Sequence, residues 1–163
     1  MLTSMLVEDG AVVRRISIGD DPELLIEHLR EEYETFAPDI IITSGGISHG
    51  KYEVVRNAIA MAPSLGLPIP LSWFGHVSQQ PGGPQGVNVL DFNGHRLPMI
   101  SFPGNPVSTL ISYVLMLRPY LRAGGPYGTP HEVASRMATL ENAPRGVLVI
   151  DKPLTCLLYT SPS

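Results

Sequence analysis

Two short stretches hold the residue types that could do chemistry: Ile42-Thr43-Ser44-Gly45-Gly46-Ile47-Ser48-His49-Gly50 and Ser101-Phe102-Pro103-Gly104-Asn105-Pro106-Val107-Ser108. Each follows an apolar run of strand character and opens a segment with helical periodicity. A tight turn of this kind presents backbone N–H groups at the positive end of a helix dipole, where phosphates settle. In the first, Gly45, Gly46 and Gly50 permit close backbone approach, while Ser44 and Ser48 add hydroxyls. Lys51 and Glu53 follow with opposite charges. In the second, proline on both sides of Gly104-Asn105 fixes the backbone, as pre-oriented contacts require. A tight connection alone would account for the first loop. A plain helix start would account for Asn105, Pro106 and Ser108, but not for Pro103 and Gly104 as well. Two such turns in one small domain point to an elongated anionic ligand.

Other residues are less telling. Asp20 reads first as a helix cap, yet it also lies at a strand end on the same edge as the two loops. With Glu53 it could supply hard oxygen ligands to a Mg²⁺ ion bridging phosphates. The five histidines lack ligand spacing, and only His49 and His76 fall near the expected cleft. Ser44 lacks the G-x-S-x-G nucleophile elbow. The single cysteine, Cys156, excludes an internal disulfide and a multi-thiolate zinc site.

Positioning these groups takes alternating elements. Met1 to Glu8 reads as the end of a helix closed by Gly10, and Ala11 to Ile18 as a strand. Asp20-Asp21-Pro22-Glu23 starts a helix with Leu25, Ile26, Leu29 and Tyr33 as its buried stripe. Asp39 to Thr43 is a β-branched strand covered on both faces, and 52–61 is helical. A strand follows around Leu71 to Val77, then a breaker-rich loop over 79–86. Asn93-Gly94 joins Val87 to Phe92 with His95 to Ser101 as a hairpin. Pro98 suits the start of that last strand and not its middle. A long apolar helix runs from Val107 to Leu121. The expected fold is α/β: a three-layer, doubly wound, mostly parallel sheet with a small antiparallel excursion.

The chain has 163 residues, 44% hydrophobic and 16% charged, enough for one domain plus a fragment. A formal charge of −4 argues against a nucleic-acid partner. No window has the length of a membrane span, and the start lacks a secretory signal. A reducing cytoplasm is the expected location.

At this point the motifs resemble a known family. Thr43-Ser44-Gly45-Gly46-Ile47-Ser48 with Glu53 resembles the S-G-G-V-S…D signature of molybdenum-cofactor-binding domains. Phe102 to Ser108, closed by Arg118-Pro119, is similar to the L-P-G-N-P-V-S…R-P of the bacterial molybdopterin molybdenumtransferase and gephyrin family. Asp20-Asp21-Pro22 matches the family's D-D-P, and Gln80-Pro81-Gly82-Gly83-Pro84 its K/Q-P-G-x-P loop. The resemblance implies a transferase that inserts molybdenum from molybdate into adenylated molybdopterin (molybdopterin-AMP) and releases AMP with Mg²⁺ assistance. It implies substrate contacts at Ser44, Gly45, Gly46, Ser48, His76, Gln80, Pro103, Gly104, Asn105, Pro106 and Ser108. Asp20 and Glu53 become the catalytic and metal-facing carboxylates. Partners would be a second copy in a homodimer and the molybdopterin adenylyltransferase. Lysines usual in the family are replaced by His76, Gln80 and Gly83, and the usual aspartate by Glu53. The alternatives are a molybdopterin adenylyltransferase on the same fold, or a non-catalytic pterin-binding scaffold.

The resemblance divides the chain into a cofactor-binding domain over 1–123 that lacks its first strand, a linker over 124–130, and the start of a C-terminal β-barrel over 131–155. Residues 156–163 match nothing in the family, are expected to be a non-native tail, and do not enter the fold reading. A piece of this extent is expected to have little activity alone.

Overall fold

The structure is a computed structural model, and it describes residues 1–17, 19–47, 53–123 and the backbone of 155–160. The expected linker, residues 131–154 of the expected barrel, and Ser48, His49, Gly50, Lys51 and Tyr52 lie outside the described residues.

Helix α1 (Leu2–Glu8) leads into strand β1 (Val12–Ser17), helix α2 (Pro22–Phe36) into β2 (Ile40–Ser44), and helix α3 (Val54–Met61) with a short 3₁₀ turn (Ala62–Leu65) into β3 (Leu71–His76). Strands β4 (Pro84–Phe92) and β5 (His95–Phe102) form the hairpin. Helix α4 (Pro106–Ser112), a π-helical segment (Tyr113–Leu117) and α5 (Arg118–Ala123) then run on from one another, and β6 (Thr155–Thr160) completes the described chain. The six strands lie in the order β1-β6-β2-β5-β4-β3. β1, β6, β2 and β5 pair in parallel, and β4 is antiparallel to both β5 and β3. Only β4 therefore runs against the rest.

The pleat sorts the strand side chains between two helical layers. On one face Leu25, Ile26 and Leu29 of α2 and Val55, Ala58 and Ile59 of α3 pack against Ile41, Leu90, Leu97 and Met99. On the other, Leu2 and Leu6 of α1 with Tyr113 and Leu117 pack against Ile40, Ile42 and Phe102. β2 is buried on both faces, as its β-branched run predicts. Tyr33, the last residue of the expected stripe, stacks on Phe92 with ring centroids 4.2 Å apart. No helix among the described residues is long and apolar enough to cross a membrane.

A buried carboxylate ties the second layer together. Asp9, just after α1, accepts hydrogen bonds from Tyr113 and Arg122 and pairs with Arg118 at 2.9 Å. Burial works to raise its pKa, but the hydrogen bonds from Tyr113, Arg122 and Arg118 outweigh it and hold the carboxyl below its ordinary value. Burial and the hydrogen bond to Asp9 push the Tyr113 phenol upward.

Several expectations need correction. The cap of α2 is Asp21, whose carboxylate accepts from the Glu23 and Leu24 amides, and not Asp20. The loop expected over 79–86 is shorter, because Pro84, Gln85 and Gly86 pair with β3. Glycine is needed at 86, where a Cβ would stand 2.6 Å from the Phe74 ring.

Pro98 sits inside β5, opposite Val89. Alternation from the two-residue turn makes Val89–Pro98 a pair without ladder hydrogen bonds. The missing N–H thus faces the β2 side, where pairing begins only at Met99. The expected long helix is interrupted by its π segment.

Thr155–Thr160, most of it within the stretch left out of the fold reading, forms a strand between β1 and β2. Cys156-Leu157-Leu158-Tyr159 is an apolar run with an aromatic end, and such runs suit a central parallel strand.

Candidate functional site

β2 and β5 are parallel neighbours with Ser44 opposite Phe102, so the two glycine loops leave the same rim side by side. The Gly45 N–H donates to the Phe102 carbonyl at 2.9 Å. A Cβ on Gly104 would stand only 3.3 Å from the Gly45 Cα, so the two backbones touch. Gly45 and Gly46 both have positive φ, 91° and 74°, which a side chain would strain. At Gly46 a Cβ would also meet Val55 Cγ2 at 2.9 Å.

Thr109 locks this arrangement. Its hydroxyl donates to the Pro103 carbonyl at 2.6 Å and reaches the Asn105 carbonyl at 3.0 Å. Its one proton being used there, the 3.2 Å contact with Ser44 Oγ has Ser44 as donor. Ser44 thus braces the two loops against each other.

Asn105 caps α4 as expected, accepting from the Val107 and Ser108 amides at 3.0 and 3.2 Å. Thr109 N–H goes to the Asn105 carbonyl, and Pro106 has no N–H. The first turn of α4 therefore keeps its donors for itself, contrary to the expectation of free amides there. The open donors belong to α3: Glu53 makes no side-chain cap, and the Val54 and Val55 N–H groups have no acceptor among the described residues.

The third loop reaches the same rim. A Cβ at Gly82 would lie 3.2 Å from Ser108 Cβ. Gln79 and Gln85, which bracket this loop, both donate to Ser112 Oγ on α4, at 3.0 and 2.6 Å. Gln85 also donates to the Gly82 carbonyl at 2.8 Å. His76, exposed at the end of β3, lies against Gly83, where a Cβ would be 2.6 Å from its Nδ1. Gln80 is exposed beside them.

The structure thus brings Ser44, Gly45, Gly46, His76, Gln80, Pro103, Gly104, Asn105, Pro106 and Ser108 to one edge. Asp20 sits apart. It is exposed beyond β1, and β6 lies between β1 and β2, about 10 Å at ordinary strand spacing. No hydrogen bond or ion pair involves Asp20 among the described residues, so none joins it to Glu53. No three His, Cys, Asp or Glu side chains among the described residues gather to hold a metal ion. Two carboxylates fit Mg²⁺ only as it binds alongside substrate phosphates, with the remaining places taken by phosphate oxygens and water.

Thr109, Ser112, Gln79 and Gln85 escape the motif reading. The one sequence signal for Thr109 is its place four residues after the Asn105 cap, where a hydroxyl can reach back along the helix.

Residues 1–123 match the family described as "Probable molybdopterin binding domain". The chain is 37% identical over 150 residues to molybdopterin molybdenumtransferase 2 of Mycobacterium tuberculosis, covering 90% of this chain and 35% of that protein. It is 31% identical over 126 residues to molybdopterin molybdenumtransferase of a Nostoc species, covering 76% and 27%. Gephyrin of Dictyostelium discoideum is 32% identical over 102 residues, covering 55% and 13%. The chain spans about a third of the length of the first of these relatives.

Proposed function

We propose that this chain, which belongs to the molybdopterin-binding domain family, holds the pterin and phosphate groups of adenylated molybdopterin in molybdenum cofactor biosynthesis. The parent reaction on this reading is insertion of molybdenum from molybdate at the dithiolene, with release of AMP. One observation supports it most: the loops at Gly45 and Gly104 are in backbone contact on the carboxyl rim of a parallel sheet, where ligands of such sheets bind.

Cleaving the phosphoanhydride is a matter of positioning and charge neutralisation. The chain offers the α3 amides that have no acceptor among the described residues, and the narrow cradle of the three loops. Mg²⁺, held by Asp20 or Glu53 together with phosphate oxygens, would neutralise charge on the leaving phosphate. Loop rigidity comes from Pro103, Pro106 and the Thr109 hydroxyl.

The experiment is titration of the chain and of the longer parent with molybdopterin-AMP, followed by assay of AMP release on adding molybdate and Mg²⁺. Binding by both and AMP release by the parent are expected. Absence of binding by either removes the reading.

A second reading, binding without turnover, is favoured by the rim's neutral Gln80 and by His76 lying over Gly83. Gly83→Lys separates the two, His76 having to swing aside for the new side chain. Gain of AMP release in that variant of the parent would identify missing charge as the defect; binding with no gain would support the scaffold.

A further inference from the structure

Arg56 lies in the first turn of α3, beside the Gly46 loop, and its backbone N–H points at the Gly46 carbonyl 3.5 Å away. It is the one cation in 45–47 and 53–61. Its guanidinium carbon stands 5.8 Å from the centroid of the Phe74 ring. No carboxylate pairs with it among the described residues, whereas Arg14, Arg118 and Arg122 are all spoken for.

The platform beneath it is built across the sheet. Phe74 lies over Gly86, the one residue type that leaves room for the ring, and Gly86 pairs with Ser101, which pairs with Thr43. The hydroxyls of Ser101 and Thr43 are fully buried and have no hydrogen-bond partner among the described residues. A guanidinium held over an aromatic face at cation–π range is partly pre-organised, and its outer N–H groups stay available for a bidentate bond. The Val54 and Val55 amides, in the same first turn of α3, have no acceptor among the described residues.

We propose that Arg56 is a binding residue that clamps a tetrahedral oxyanion of the ligand, phosphate or molybdate, at the α3 side of the rim. The inference rests on the anion-holding reading above and names the side chain that supplies its permanent charge.

The test is calorimetric titration of the whole chain at low ionic strength, with inorganic phosphate, molybdate and AMP as separate probes. Arg56→Gln should weaken at least one probe by about 10- to 100-fold, the cost of one charge-assisted contact. Arg56→Lys, which keeps charge but loses the planar fork, should fall between. Phe74→Leu should weaken the same probe, because the guanidinium loses its support. Arg96→Gln, on the hairpin, should change nothing. The probe that responds tells phosphate from molybdate. Melting temperatures check folding, and Arg56→Lys carries the test if the glutamine variant does not fold. Wild-type binding untouched by both Arg56 variants overturns this inference and leaves the functional reading standing. Failure of the wild-type chain to bind any probe overturns this inference, while the functional reading is decided by the molybdopterin-AMP titration.

Discussion

Gly104→Ala is the sharpest test of the site, because the perturbation is one methyl group and its surroundings are backbone. The added Cβ would stand 3.3 Å from the Gly45 Cα and 3.9 Å from its nitrogen. Carbon atoms rest at about 3.5–4.0 Å, so the loops must part by roughly 0.5 Å. Gly45 has no side chain to swing away, and its N–H is held by Phe102. Overpacking of this size costs about 1 kcal/mol of stability. A misplacement of about 1 Å in a positioned site can cost on the order of 100-fold, so half of it should weaken molybdopterin-AMP binding roughly tenfold.

Gly94→Ala supplies the comparison. Its φ of 92° strains any side chain, but open space surrounds it at the hairpin tip. It should lose about 1–2 kcal/mol with binding unchanged. Urea midpoints and titration on the same samples separate the two effects. Equal binding by Gly104→Ala and wild type, at a measurable loss of stability, would show that the touching loops are not what grips the ligand.

Other outcomes follow from single contacts. Asp9 is held ionised in the native state, so above its unfolded pKa near 3.9 its stabilisation is complete. As pH falls from about 4 through the lowered native value, the unfolded chain takes the proton first and stability drops; Asp9→Asn should flatten that slope in acid denaturation. Asp9→Ala should cost about 2 kcal/mol in urea unfolding, below the cost for a fully buried pair because its arginine partners are 24% and 41% exposed. Asn105→Ala should cost about 1 kcal/mol and release the Val107 and Ser108 amides, read by unfolding and by faster amide exchange at those two positions. Ala37 ends α2 at φ 46°, and Ala37→Gly should raise stability by about 0.5 kcal/mol in the same unfolding assay.

The rim was legible because its two turns combine strand ends, glycines and a proline-fixed cap, and parallel pairing of the strands does the rest. What local pattern could not show is who uses the amides. Asn105 as cap was visible, but its consumption of the α4 donors depends on rotamer and loop path. Asp20 and Asp21 are adjacent carboxylates, and sequence alone does not say which one turns inward to the helix. Pro98 misled because the rule against mid-strand proline assumes a partner on both sides, and pairing with β2 begins only one residue later, at Met99. The braces at Thr109 and Ser112 are long-range contacts that no periodicity announces.

Among the described residues, β1 hydrogen-bonds to the sheet solely through Thr155–Thr160. During synthesis, then, the sheet's outermost parallel strand waits for the last described segment to emerge before it gains a neighbour. Closing that seam joins residues more than 140 positions apart, the slow kind of folding event. Until it closes, the facing edges of β1 and β2 are unpaired and open to strands of other chains, which makes nascent polypeptides ending before residue 155 candidates for aggregation.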